Sequence, residues 1–115
     1  MALRNITKSI DLVYNIKFCK NTLAKSIGLM FSKELNDTAL IFVFKNEEIV
    51  PLHMFFVFYP IDVLFLNSNK EIVEIKESLK PFSLLTPRKK AKYVIELPNE
   101  LIRKTKTEVG DKISF

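Results

Sequence analysis

One cysteine (Cys19), one histidine (His53) and two glycines (Gly28 and Gly110) leave little raw material for several kinds of chemistry. A single cysteine cannot close an intrachain disulfide, and such sparing use fits a reducing compartment. One histidine cannot supply a histidine-rich metal centre, so neither a metal nor any other cofactor is expected. Two isolated glycines cannot build a phosphate-cradling loop. The longest apolar run, around residues 53–66, is shorter than the ~20 residues that a membrane span needs, and Pro60 and Asp62 interrupt it. Residues 1–8 are polar and hold no apolar signal core. The expectation is a cytoplasmic protein with no membrane partner.

What is present describes an ordinary globular chain. Its 115 residues suit one domain, 1–115, with a core that needs no covalent staple. Hydrophobic residues make up 48% and charged residues 27%, which excludes intrinsic disorder. The net charge of +5 permits contact with an anionic partner. It serves solubility equally well.

The apolar pattern is mostly that of strands. Leu12, Tyr14, Ile16 and Phe18 alternate with Asp11, Val13, Asn15 and Lys17, which predicts one strand over 9–19. Asn21 as an N-cap, Leu23 and Ile27 on one face, and Gly28 as a terminator predict a short helix over 22–27. Residues 39–44 read as a buried strand, broken at 45–48 and resuming near Ile49. The stretch 53–66 predicts two central strands meeting at Pro60, which has no N–H for a ladder. A turn at 67–70 makes 62–78 a hairpin. In the strand over 93–97, Tyr93, Ile95 and Leu97 share the core-facing side. Pro98 opens a short helix to about Lys104, and 112–115 is a last strand. About seven strands and two short helices predict an all-β fold, either a compact antiparallel β-sandwich or a partly closed barrel.

Five blocks occur in one order: Gly28-Leu29-Met30-Phe31; Ala39-Leu40-Ile41-Phe42-Val43-Phe44; Pro60-Ile61-Asp62-Val63-Leu64-Phe65-Leu66; Lys92-Tyr93-Val94-Ile95-Glu96-Leu97-Pro98; Val109-Gly110-Asp111. Together they resemble the domain of unknown function 192 family, from about Lys25 to Phe115. The resemblance implies a β-rich sandwich with small helices and no established activity. Many bacterial members carry a Trp-Met-Lys-Asn-Thr block before the proline. The matching place here is His53-Met54-Phe55-Phe56-Val57, wording that resembles archaeal, cytoplasmic members. Met54 and Asp62 match the family pattern, whereas the polar pair of the bacterial block has become two aromatics.

Three functions are open on these residues. The first is a binding module with a pocket for an unidentified small molecule near the central strands. Its candidate residues are Asp62, His53, Met54 and Met30. An acid between Ile61 and Val63 is costly to bury ionised without partners. It marks either a ligand site or a carboxylate that satisfies backbone amides near Pro60. The second is a weak nucleic-acid accessory using a basic face of Arg88, Lys89, Lys90, Lys92 and Arg103. Such surfaces ordinarily add exposed aromatics for base stacking, and the parity of Tyr93 places it with the core instead. The third, ranked last, is an enzyme using Asp62 and His53 as acid and base. Sequence leaves the oligomeric state open.

Overall fold

A strand that is apolar at every position must be covered on both faces. Two runs in this chain have nearly that character, Ile61–Leu66 and Ala91–Pro98, and they become the centre of the molecule. The computed structural model describes residues 2–20 and 34–115. Along them run β1 (Leu3–Asn5), β2 (Ile10–Val13), β3 (Asn15–Cys19), β4 (Thr38–Glu48), β5 (Leu52–His53), β6 (Ile61–Leu66), β7 (Ile72–Leu79), β8 (Leu84–Leu85), β9 (Ala91–Pro98), α1 (Leu101–Thr105) and β10 (Ile113–Ser114).

The main sheet has the order β3-β4-β9-β6-β7. Its pairs are antiparallel except β3–β4, which is parallel with Cys19 opposite Phe42. A second sheet, β10-β1-β2, packs against one face, and the separate two-stranded ribbon β5-β8 sets Leu52 and Leu85 against the cluster on the other. The architecture is sandwich-like, and no barrel closes among the described residues.

Two hydrophobic clusters lie on the two faces of the main sheet. On the front face, Leu40, Phe42, Val63, Phe65 and Val94 meet Met54, Val57 and Tyr59 from the connection before β6. On the back face, Ile41, Leu64, Leu66, Ile95 and Leu97 meet Leu3, Val13, Ile102 and Ile113 from the second sheet and α1. Strand alternation sends successive residues of β6 and β9 into different clusters.

Several expectations hold. The 62–78 hairpin forms, its turn closed by the Asn67 side-chain oxygen, which accepts the amides of Asn69 and Glu71 at 3.0 Å each. The strand over 93–97, the short helix after Pro98 and the final strand are present with shifted ends.

Others are corrected. The single strand over 9–19 breaks at Tyr14 into β2 and β3, which join different sheets. Asp37 fixes the break, since its side chain and carbonyl accept the Tyr14 and Asn15 amides. Residues 45–48 do not interrupt a strand, because β4 runs on to Glu48. Of the two strands expected to meet at Pro60, only β6 is central. Residues 54–59 form turns in which Phe56 has a positive φ of 58° and the Val57 amide bonds the Met54 carbonyl. The helix expected over 22–27 lies outside the described residues, as do Met30 and the first family block.

Candidate functional site

Asp62 is fully buried on the back-face side of β6. Its Oδ1 accepts the Ser78 amide and its Oδ2 the Ile102 amide, each at 2.9 Å. Ser78 sits in left-handed backbone (φ 50°), beside a register shift between β6 and β7. Ile102 lies in the first turn of α1, where amides have no helical partner. The residue before that helix, Glu100, makes no capping bond with its own side chain, so Asp62 supplies the cap from a distance. One carboxylate thus holds a bulged edge strand and a helix start against the central sheet.

Met54 is buried in the other cluster, on the front face. His53 is exposed on the β5-β8 ribbon, where its ring stacks on Phe55 at 5.0 Å and its Nδ1 accepts the Phe55 amide. The structure therefore does not bring Asp62 together with Met54, and Met30 lies outside the described residues. Asp62, His53 and Met54 line no common pocket among the described residues.

The central stretch instead builds a shelf of rings. Alternate residues Met54, Val57 and Tyr59 turn inward, while Phe55, Phe56 and Phe58 turn outward. Phe82 and Leu84, from the loop before β8 and from β8 itself, lie beside them. The Phe82 ring meets Phe58 edge-on at 5.2 Å and Phe56 at 6.1 Å. Each of these five side chains is at least 45% exposed, and Leu84 reaches 70%. Ordinary surfaces scatter large apolar side chains singly, and contiguous patches mark contact sites. Lys80 is the one ionic side chain in residues 53–60 and 80–84.

The front face holds a second feature that strand parity conceals. Glu96 lies on β9 between Leu40 of β4 and Val63 of β6, and it is only 7% exposed. Among the described residues no hydrogen bond reaches its carboxyl. Burial without a compensating charge pushes its pKa up to about 7. Cys19 is a buried free thiol on the same face. Burial pushes that thiol's pKa up, Lys17 draws it down, and the Glu96 carboxylate adds to the rise. Neither Glu96 nor the shelf residues Phe58, Phe82 and Leu84 stood out in the sequence. The signal for Glu96 was an acid inside an otherwise apolar strand, the same signal that drew attention to Asp62.

The basic residues do not form one face. Arg88, Lys89 and Lys90 are exposed in the turn before β9, with the Arg88 and Lys89 amides bonded to Glu74 at 2.9 Å. Lys92 donates to the Lys45 carbonyl at 2.8 Å. Arg103 pairs with Glu100 at 2.9 Å, beyond the far end of β9 and about 25 Å along the strand from the basic turn. A groove of about 200 Å³ between β2, the 36–37 turn and α1 includes Asn36, Asn99 and Lys104 in its lining. It holds none of the candidate site residues, neither Asp62, His53 and Met54 nor the basic ones.

Fold and site together define a class: a strand-rich, sandwich-like domain whose central sheet is buried on both faces. The chain belongs to the domain of unknown function 192 family, described as "Uncharacterized ACR", whose model matches residues 4–115. A UPF0127 protein of Pyrococcus furiosus is 37% identical over 113 residues, covering 96% of this chain and 95% of that protein. A Sinorhizobium meliloti crystal structure, titled as a candidate transcription regulator, superposes with a TM-score of 0.87 at 23% identity, covering 98% of this chain and 89% of that one. A Novosphingobium aromaticivorans protein of unknown function gives a TM-score of 0.87 at 20% identity, covering 96% and 81%. These two likenesses concern the fold alone. No helix among the described residues is long and apolar enough to cross a membrane.

Proposed function

We propose that this protein is a binding module that docks a partner protein on the shelf formed by residues 53–60 and 80–84. The observation that supports this reading is the clustering of Phe55, Phe56, Phe58, Phe82 and Leu84, all substantially exposed, in two adjoining loops. Aromatic anchors of this kind dominate the energetics of protein interfaces. The fitting partner presents an apolar ridge flanked by acids, because Lys80 rims the shelf and the chain carries +5 overall. The reading places the module in the cytoplasm, in keeping with the unpaired, buried thiol of Cys19.

The test uses a synthetic amphipathic peptide with Leu and Phe on one helical face and Glu on the other. Saturable amide shifts confined to residues 53–60 and 80–84 are expected. The double variant Phe58→Ser/Phe82→Ser should weaken binding by about a hundredfold or more, since burying each ring contributes roughly 1.5–3 kcal/mol. Shifts elsewhere, or a double variant that binds as well as the native chain, would count against docking on the shelf.

A second reading, a single-stranded nucleic-acid binder, is favoured by one specific observation. The basic turn at Arg88–Lys90 begins four residues after Leu84, which puts its start within about 14 Å of the shelf. Exposed rings beside cations are what such ligands use. An oligouridylate that shifts the same residues, with affinity falling steeply as salt rises, would favour this reading over the first.

A further inference from the structure

We propose that the groove between β2, the 36–37 turn and α1 binds a free α-amino acid with an aliphatic side chain. The site shares no residue with the aromatic shelf and does not depend on it.

The groove has a volume of about 200 Å³. Pockets for drug-sized ligands start at about 300 Å³, so this one suits a smaller molecule. Three segments of the chain build it, and burial orders their side chains by depth. Leu12 and Val13 of β2 are buried and make an apolar floor, with half-buried Leu101 of α1 as a third apolar side chain. Asp37 and Lys104 are exposed and stand at the mouth, one charge of each sign on different segments. Asn99 is half-buried and adds a carboxamide to the lining.

Bonds within the fold hold this lining in place. Asp37 Oδ1 accepts the Tyr14 amide at 3.1 Å and its carbonyl accepts the Asn15 amide at 3.2 Å, which seats the turn at the end of β2. Asp62 accepts the Ile102 amide and so fixes α1. It also accepts the Ser78 amide, and the Ser78 hydroxyl donates to Asn99 Oδ1 at 2.8 Å. With its oxygen engaged, the Asn99 side chain offers N–H donors. The Asp37 carboxylate has about four acceptor sites, so it has capacity beyond the Tyr14 bond.

Chemistry then selects the ligand class. A simple anion would suit Lys104 and Asn99 but meet the charge of Asp37. A simple amine would suit Asp37 and meet that of Lys104. A neutral hydrocarbon would cover the floor and engage neither charge. A zwitterion with a short branched apolar body uses all of the lining. Its ammonium pairs with Asp37, its carboxylate takes Lys104 and the Asn99 N–H, and its side chain rests on Leu12, Val13 and Leu101. The flexible four-carbon stem of Lys104 lets its ammonium follow the carboxylate.

The experiment titrates L-leucine into the isotopically labelled full chain. The controls are 3-methylbutylamine, which lacks the carboxylate, and 4-methylpentanoate, which lacks the amine. Saturable shifts of the Leu12, Val13, Asp37, Asn99 and Leu101 amides are expected with leucine. Each control should bind about fivefold more weakly, the scale of one solvent-exposed ion pair. Lys104→Met should weaken leucine binding by a similar factor, and Asp37→Asn likewise while keeping the acceptor for the Tyr14 amide. Absence of saturable shifts at these residues would overturn the proposal, as would controls that bind as well as leucine or undiminished binding by Lys104→Met. The comparison with the controls is read on the native chain, so the test stands even if a variant folds poorly.

Discussion

Asp62 and Glu96 are two acids on neighbouring central strands, one register step apart and on opposite faces, since Asp62 pairs with Leu97 and Val63 with Glu96. Asp62 meets two amides at 2.9 Å and ties a bulge and a helix start to the sheet. Glu96 meets apolar side chains and no donor among the described residues, and its proton affinity rises accordingly. The same chemical group, buried to nearly the same depth, is a structural clamp on the back face and, on the front, a carboxyl that no described residue bonds. Burial of an acid is thus no guide to its role until its partners are counted.

Removing each acid should separate the two roles. Asp62→Ala leaves the Ser78 and Ile102 amides without an acceptor and is expected to cost about 3–5 kcal/mol. Urea unfolding measures this, and a loss below about 1 kcal/mol would erase the distinction from Glu96. Asp62→Asn keeps one acceptor oxygen and should fall between the native chain and Asp62→Ala.

Glu96→Gln should act in the other direction, and only above a certain pH. Below the ordinary Glu pKa the carboxyl is protonated in both the folded and unfolded chain, so burial costs nothing extra. As the pH rises toward 7, the unfolded chain ionises first and native stability falls. Above about 7 the penalty is constant at roughly 3 kcal/mol. The variant should therefore be the more stable protein at pH 8, by an amount that shrinks toward pH 4. Equal pH profiles for the two proteins would remove the contrast.

A third acid sharpens the comparison from the edge of the back face. Asp111 is buried, which by itself would raise its pKa. The Asn5 side chain at 2.9 Å, the Glu108 amide at 3.0 Å and Lys8 at 3.2 Å outweigh that and lower it. Its contribution is present above the unfolded pKa of about 4 and is lost as pH falls through the lowered folded value. Asp111→Asn should cost about 1–3 kcal/mol at neutral pH and progressively less in acid. A cost that persists undiminished at low pH would mean that shape, not charge, matters there.

The smallest effect on stability belongs to the shelf. Phe58→Ser/Phe82→Ser alters side chains at least half exposed, and the unfolding midpoint should move by no more than about 1 kcal/mol. A larger loss would show that the shelf belongs to the core.

Much of the fold was legible in the chain. The 62–78 hairpin and the strand over 93–97 follow from turn chemistry and period-two patterns, and the order of the family blocks adds a resemblance. The break at Tyr14 was not legible, because alternation continues straight through it and the bond that enforces it comes from Asp37, 23 residues away. The outward turn of the phenylalanines was hidden for a related reason. Residues 53–60 have the composition of a core strand, and only the positive φ at Phe56 reveals a loop. Glu96 was missed by a sound rule wrongly applied. Tyr93, Ile95 and Leu97 do share the back-face side, but the opposite side is covered as well, so alternation did not put Glu96 in water. Asp62 was singled out correctly as an unusual acid, and both its donors lie at least 16 residues away in the chain.

The most direct test of the contrast between the two acids is a pH titration of the Glu96 side-chain carboxyl, followed by carbon NMR in the native chain without added ligand. A midpoint near pH 7 is expected for a carboxyl buried without a donor. A midpoint at the ordinary Glu value of about 4.3 would show that Glu96 is solvated or paired, and the contrast with Asp62 would be gone.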